Sequence, residues 1–149
     1  MSKSEMAVSL MKEGSSCSQA VLTVFADELG LKKTDAHKIM TAFGGGFGRK
    51  QLVCGALSGG VAALNMRYGS EEGSDADGKT LAYDKVNLFL STMETKWGKT
   101  DCRSLLGYDF SDKDAAQKAK DENLSAKVCH NLVKDVVQYI ESDFISENN

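Results

Sequence analysis

No proline occurs anywhere in this chain of 149 residues, although average composition would supply about seven. Proline breaks helix interiors and favours turns and extended segments, so its absence points to a chain that is mostly helix. The glycines then act as the punctuation. Between them apolar residues recur near helical spacing, and no stretch shows strong strand alternation. With 42% hydrophobic and 26% charged residues, the chain has the composition of a folded domain. We expect an all-α, single-domain helical bundle spanning residues 1–149, with about five main helices plus short ones.

A first helix carries Met6, Leu10 and Met11 on one face and stops at Gly14. Ser15 or Ser16 caps a second, which opens on Cys17, buries Val21, Val24, Phe25 and Leu29, and stops at Gly30. Thr34 or Asp35 caps a third, with Ile39, Met40 and Phe43 inward. It runs into Gly44-Gly45-Gly46-Phe47-Gly48, a loop that needs free dihedrals and makes a tight connection. Cys54 opens the fourth helix, through about Tyr68, with small residues Ala56, Gly59, Gly60 and Ala63 for close helix approach. An exposed loop, Gly69 to Gly78, precedes a long helix of about Lys79 to Trp97, whose stripe is Ala82, Val86, Phe89, Leu90, Met93 and Trp97. Thr100 or Asp101 caps a short turn with Cys102, and another short helix follows Ser111. The last helix starts near Ser125 and buries Val128, Leu132, Val133, Val136, Val137, Ile140 and Phe144. Its tail is expected to fray after Ser146.

Several function classes fall away. The net charge is −3 and no basic stripe stands out, so nucleic acid is not an expected partner. No run of about 18 apolar residues occurs, so no stable membrane insertion is expected. Met1 to Glu5 leads into no apolar signal segment, and we expect a cytoplasmic protein. Cysteines there are normally reduced, which argues against a structural disulfide framework.

The four cysteines are the chemistry-bearing residues. Cys17, Cys54 and Cys102 each fall in the first turn of an expected helix, and Cys129 about one turn into the last. A helix N-terminus offers unpaired N–H groups and partial positive charge, which favour a thiolate and lower its pKa. No Cys-x-x-Cys pair and no zinc-ribbon spacing is present. Cys129-His130 resembles the end of a c-type haem site, but the required upstream cysteine is Ala126. Cysteines from distant segments can still assemble a four-cysteine site for zinc or a [2Fe–2S] cluster. His130 points about 100° away from Cys129 on a helix and is expected to pack or face the surface. His37 looks incidental. The glycine loop follows a helix and lacks the phosphate-binding patterns, so nucleotide is not expected there. Arg49 and Lys50 can add positive charge beside Cys54.

Gly14-Ser15-Ser16-Cys17-Ser18-Gln19-Ala20-Val21-Leu22, Phe43-Gly44-Gly45-Gly46, Cys54-Gly55-Ala56-Leu57-Ser58-Gly59, Cys102 and Cys129 together resemble the C_GCAxxG_C_C family of redox-active proteins. The resemblance runs from about residue 14 to 140. It implies redox activity without naming a substrate, association with transporters, and likeness to part of some iron–sulfur cytochromes.

Our leading expectation is a thiol-dependent oxidoreductase. Cys17 and Cys54 form the reactive pair, and Cys102 and Cys129 are resolving or second-pair thiols. Its partner would be a redox protein or a small thiol or disulfide substrate. The second reading makes Cys17, Cys54, Cys102 and Cys129 ligands of a [2Fe–2S] cluster or zinc. The third is a non-catalytic helical interaction module, a homodimer serving a transporter.

Overall fold

Most glycines read as punctuation are helix ends in the computed structural model, which describes residues 1–148. Helix α1 (Lys3–Lys12) begins with a reciprocal Ser2–Glu5 capping box. It ends in a Schellman motif: Gly14 N–H donates to the Met11 carbonyl at 3.1 Å and Ser15 N–H to that of Leu10 at 2.9 Å. Gly14 takes φ +109°, which its lack of a Cβ permits. Helix α2 (Cys17–Val24) is shorter than expected, and its chain continues as turns to Gly30. Helix α3 is Lys33–Ile39. A 3-10 turn, Thr41–Phe43, and a glycine turn, α4 (Gly44–Phe47), follow. Then come α5 (Gly55–Tyr68), α6 (Ala76–Trp97), α7 (Cys102–Leu106) and α8 (Lys113–Asp121). A π-helical turn, Ser125–Cys129, leads into α9 (His130–Asn148). The chain is all-α: among the described residues the extended pairing is one isolated antiparallel bridge, Val53 to Asp101.

Helix α2 is central. It packs on α5, α1, α3 and α9, while α5 also packs on α6 and α9. Two glycines of α5 set the spacing. A Cβ on Gly59 would lie 2.8 Å from Val21 Cβ and 2.9 Å from the Ser18 carbonyl oxygen. A Cβ on Gly60 would lie 2.5 Å from Phe89 Cζ, so the ring of α6 fills the space that side chain would take. Phe25, Phe89, Phe144, Leu57 and Ile140 meet in one buried core. At one end Tyr68 donates to Asp143 at 2.6 Å, and Lys85 donates to Asp143 at 2.9 Å and Glu147 at 2.8 Å, tying α5, α6 and α9 together.

The structure departs from sequence expectation in several places. Met6 is exposed, and Ala7 and Val8 take the inward side of α1. Lys32, not Thr34 or Asp35, is the residue before α3, and it makes no side-chain cap. Ile39 is 60% exposed, because Ala36 and Met40, four apart, take the inward side and turn Ile39 about 100° from Met40. Helix α6 starts at Ala76, earlier than Lys79, because Asp75 caps it by accepting from Gly78 N–H. Helix α9 continues past Ser146 to Asn148, whose side chain accepts from Arg67. No helix among the described residues is long and apolar enough to cross a membrane.

Candidate functional site

Cys17 is the first residue of α2. Its N-cap Ser16 accepts from Gln19 N–H at 3.3 Å, and Gln19 Oε1 accepts from Ser16 N–H at 2.9 Å, closing a second capping box. This start leaves the N–H groups of Cys17 and Ser18 free to bear on the Cys17 sulfur. Two more arrive from outside the helix, those of Gly45 and Ala56.

Gly45 delivers its N–H because the chain there winds left-handed. Gly45, Gly46, Phe47, Gly48 and Arg49 all have φ between +59° and +68°. Such a turn costs a residue with a side chain about 1–2 kcal/mol, so Phe47 and Arg49 sit there under strain. Hydrogen bonds from Gln51 N–H to the Gly45 carbonyl and from Leu52 N–H to that of Gly46, each 3.0 Å, hold it. The floor beneath is equally specific. A Cβ on Gly44 would lie 2.5 Å from Ser16 Cβ. A Cβ on Gly55 would collide with the Cys17 sulfur and lie 3.0 Å from the Phe43 carbonyl oxygen.

Cys54 is the N-cap of α5, and the N–H groups of Ala56 and Leu57 bear on its sulfur. Cys102 opens α7, capped by Asp101, whose carboxylate accepts from Ser104 N–H at 2.9 Å. The bridge joins these two starts. Cys54 N–H donates to the Thr100 carbonyl at 2.9 Å and Cys102 N–H to that of Leu52 at 2.7 Å. Cys129 is the last residue of the π turn before α9. Such turns recur at functional sites.

The four sulfurs act on one another. Charge on Cys17 raises the pKa of Cys54, Cys102 and Cys129, and charge on Cys102 also raises that of Cys54 and Cys129. Cys54 and Cys102 are buried, Cys17 and Cys129 half-buried, and all four are free thiols. Helix N-termini alone would lower these pKa values, and the structure reverses that expectation. Burial pushes Cys17 up despite its four N–H groups. Burial and then Cys17 push Cys54 up, Cys102 to about 11 and, with Cys102 adding to the effect, Cys129 to about 12. Desolvating a thiolate costs more than the N–H groups return.

The same geometry bears on the metal reading. Thiolates suit zinc or an iron–sulfur cluster, yet among the described residues no three His, Cys, Asp or Glu side chains are grouped to hold a metal ion.

Two side chains stand out that sequence reasoning passed over. Gln51 is buried at φ +58°. Its amide donates to the Tyr108 carbonyl and accepts from Phe110 N–H, both at 2.7 Å, and its side chain reaches the Cys102 sulfur. No pattern in the sequence marks it. His37, read as incidental, joins α3 to the start of α2. The Gln19 NH2 lies within reach of His37 Nδ1 at 3.2 Å, the His37 carbonyl at 3.2 Å and Thr41 Oγ1 at 3.1 Å. Ser15 Oγ lies 3.0 Å from His37 Nε2, so the pair braces the start of α2 against α3. His130 is half-buried; burial, with Lys12 and Lys134 nearby, lowers its pKa, in keeping with a packing role.

No curated protein and no solved structure matches the chain. A sequence model for the family described as "Putative redox-active protein (C_GCAxxG_C_C)" matches residues 15–142. That span contains all four cysteines and the glycines that make room for them, and the chain belongs to this redox-active family.

Proposed function

We propose that the chain is a thiol–disulfide redox protein in which Cys17 exchanges with a substrate disulfide and Cys54 resolves the intermediate. The observation that carries this reading is the placement of Cys17. It is half-buried, cradled by N–H groups, and close enough to the other three thiols to raise the pKa of each. Cys17 gives up its proton and its sulfur attacks a substrate sulfur. The substrate S–S bond breaks, and one half leaves as a thiol. Cys54 then attacks Cys17 in the mixed disulfide and releases the second substrate thiol, leaving Cys17–Cys54 oxidised. Cys102 and Cys129 supply a second pair.

The raised thiol pKa values make a test. A reduced pair carries two protons more than its disulfide, so its midpoint potential falls by about 59 mV per pH unit while both thiols stay protonated. An ordinary dithiol loses this slope above about pH 8.5. Here the slope is expected to persist beyond that pH, because burial keeps the thiols protonated. Titration against thiol–disulfide buffers across this range reads it. A slope that flattens near pH 8.5, or no reversible two-electron couple, would sink the reading. Stoichiometric iron or zinc in anaerobically purified protein would replace it with a metal centre.

A further inference from the structure

The surface that frames the thiols differs in character from the rest of the molecule. From residue 36 to 53 the chain has no acidic residue, and from 99 to 107 it has only Asp101, which is occupied in capping α7. The same two segments carry Lys38, Arg49, Lys50, Lys99 and Arg103, all exposed. Arg103 has a loose contact to Asp109 at 3.4 Å. In a chain of net charge −3, the stretch leading into Cys54 and the one around Cys102 thus carry an excess of cations. The first stretch leaves three apolar side chains uncovered: Phe47, Leu52 and Val53 are 41%, 56% and 44% exposed.

These side chains belong to the thiol site by backbone connection. Phe47 follows the glycine whose N–H bears on Cys17, at one remove, and its ring lies 5.1 Å from that of Phe43. The Leu52 carbonyl accepts from Cys102 N–H, and Val53 pairs with Asp101. The strained left-handed turn holds Phe47 and Arg49 outward, and strain of this kind persists where a site requires it. An apolar centre within a charged rim is the anatomy of a protein-recognition patch.

We propose that Phe47, Leu52 and Val53, rimmed by Arg49, Lys50, Lys99 and Arg103, form the docking surface for an acidic polypeptide segment that carries the exchanging thiol or disulfide. This rests on the thiol–disulfide reading and adds the class of partner. A cationic rim raises the encounter rate with an acidic partner, and salt removes the gain.

The test uses short synthetic peptides with one cysteine held as a 2-pyridyl disulfide beside a Phe-Leu pair, flanked by Glu, Gln or Lys. A cluster thiol gives up its proton and its sulfur bonds to the peptide sulfur. The peptide–pyridyl S–S bond breaks, and 2-thiopyridone leaves with the electron pair and the proton, giving an absorbance readout. At low ionic strength the Glu peptide is expected to react about tenfold faster than the Lys peptide, with Gln between. The gap should shrink to about twofold at 0.5 M salt, and Arg49→Glu with Lys50→Glu should reverse the order. Should that variant not fold, the salt series on the parent protein decides alone. Uncharged 2,2′-dipyridyl disulfide separates the two ideas. Failure of the parent to react with it overturns the thiol–disulfide reading and the proposal built on it. Reaction with it but equal rates for the three peptides overturns the docking surface alone. Equal peptide rates joined to salt-sensitive binding of phosphatidylserine vesicles would make the patch a lipid surface.

Discussion

Gly55→Ala is expected to lower the unfolding free energy of the reduced protein by about 2 kcal/mol. The added methyl meets the Cys17 sulfur and is boxed in by the Phe43 carbonyl oxygen at 3.0 Å and Gly44 Cα at 3.2 Å. Alanine gains up to about 1 kcal/mol of helix propensity over glycine, which offsets only part of the overlap. The overlap is specific to the sulfur, so a double-mutant cycle exposes it. Beside Cys17→Ala, the same Gly55→Ala should cost at least about 1 kcal/mol less, as expected for residues in contact. Equal costs in both backgrounds, read by urea unfolding under reductant, would show that Gly55 is not there to make room for Cys17.

The second large effect lies in the core. Phe89→Ala should cost about 3–5 kcal/mol, because Phe89 is fully buried and packs against Tyr139 with ring centres 5.2 Å apart. Total stabilities of domains are typically only about 5–15 kcal/mol, so this one side chain would account for a large share of the total. Its partner is Gly60, where a Cβ would lie 2.5 Å from Phe89 Cζ and 3.0 Å from Val136 Cγ1. Gly60→Ala alone should therefore destabilise by about 1–3 kcal/mol. Beside Phe89→Ala it should be neutral or stabilising, since it fills part of the cavity. Gly60→Ala equally costly in both backgrounds would separate the two residues energetically.

Local signals were legible and non-local ones were not. The Ser16 cap, the stop at Gly14 and the glycine after α6 depend on a few neighbouring residues, and the structure has them where the sequence places them. The inward side of a helix depends on its partners. Met6 and Ile39 have the right spacing for burial, yet α1 and α3 present Ala7 and Ala36 instead. The cysteines divide in the same way. Their position at helix starts is local, and Cys17, Cys54 and Cys102 are found at such starts. Their protonation is set by burial and by sulfurs from distant segments, so one helix end taken alone points to the wrong sign. Gln51 lay further out of reach. A left-handed glutamine between Lys50 and Leu52 has no periodicity to mark it, and its partners Tyr108 and Phe110 are over fifty residues away.

The wide spacing of the cysteines along the chain has one more consequence. A bond between Cys17 and Cys54 would close a loop of roughly forty residues, and one between Cys102 and Cys129 a loop of roughly thirty. Each cross-link of that span restricts the unfolded chain by about 4 kcal/mol. That is comparable to the whole stability of many domains. Electron transfer would then set more than the state of two sulfurs. The oxidised chain would melt at a higher temperature and resist proteases, and each reduction would shorten its survival. The redox state of such a protein would be written into its lifetime.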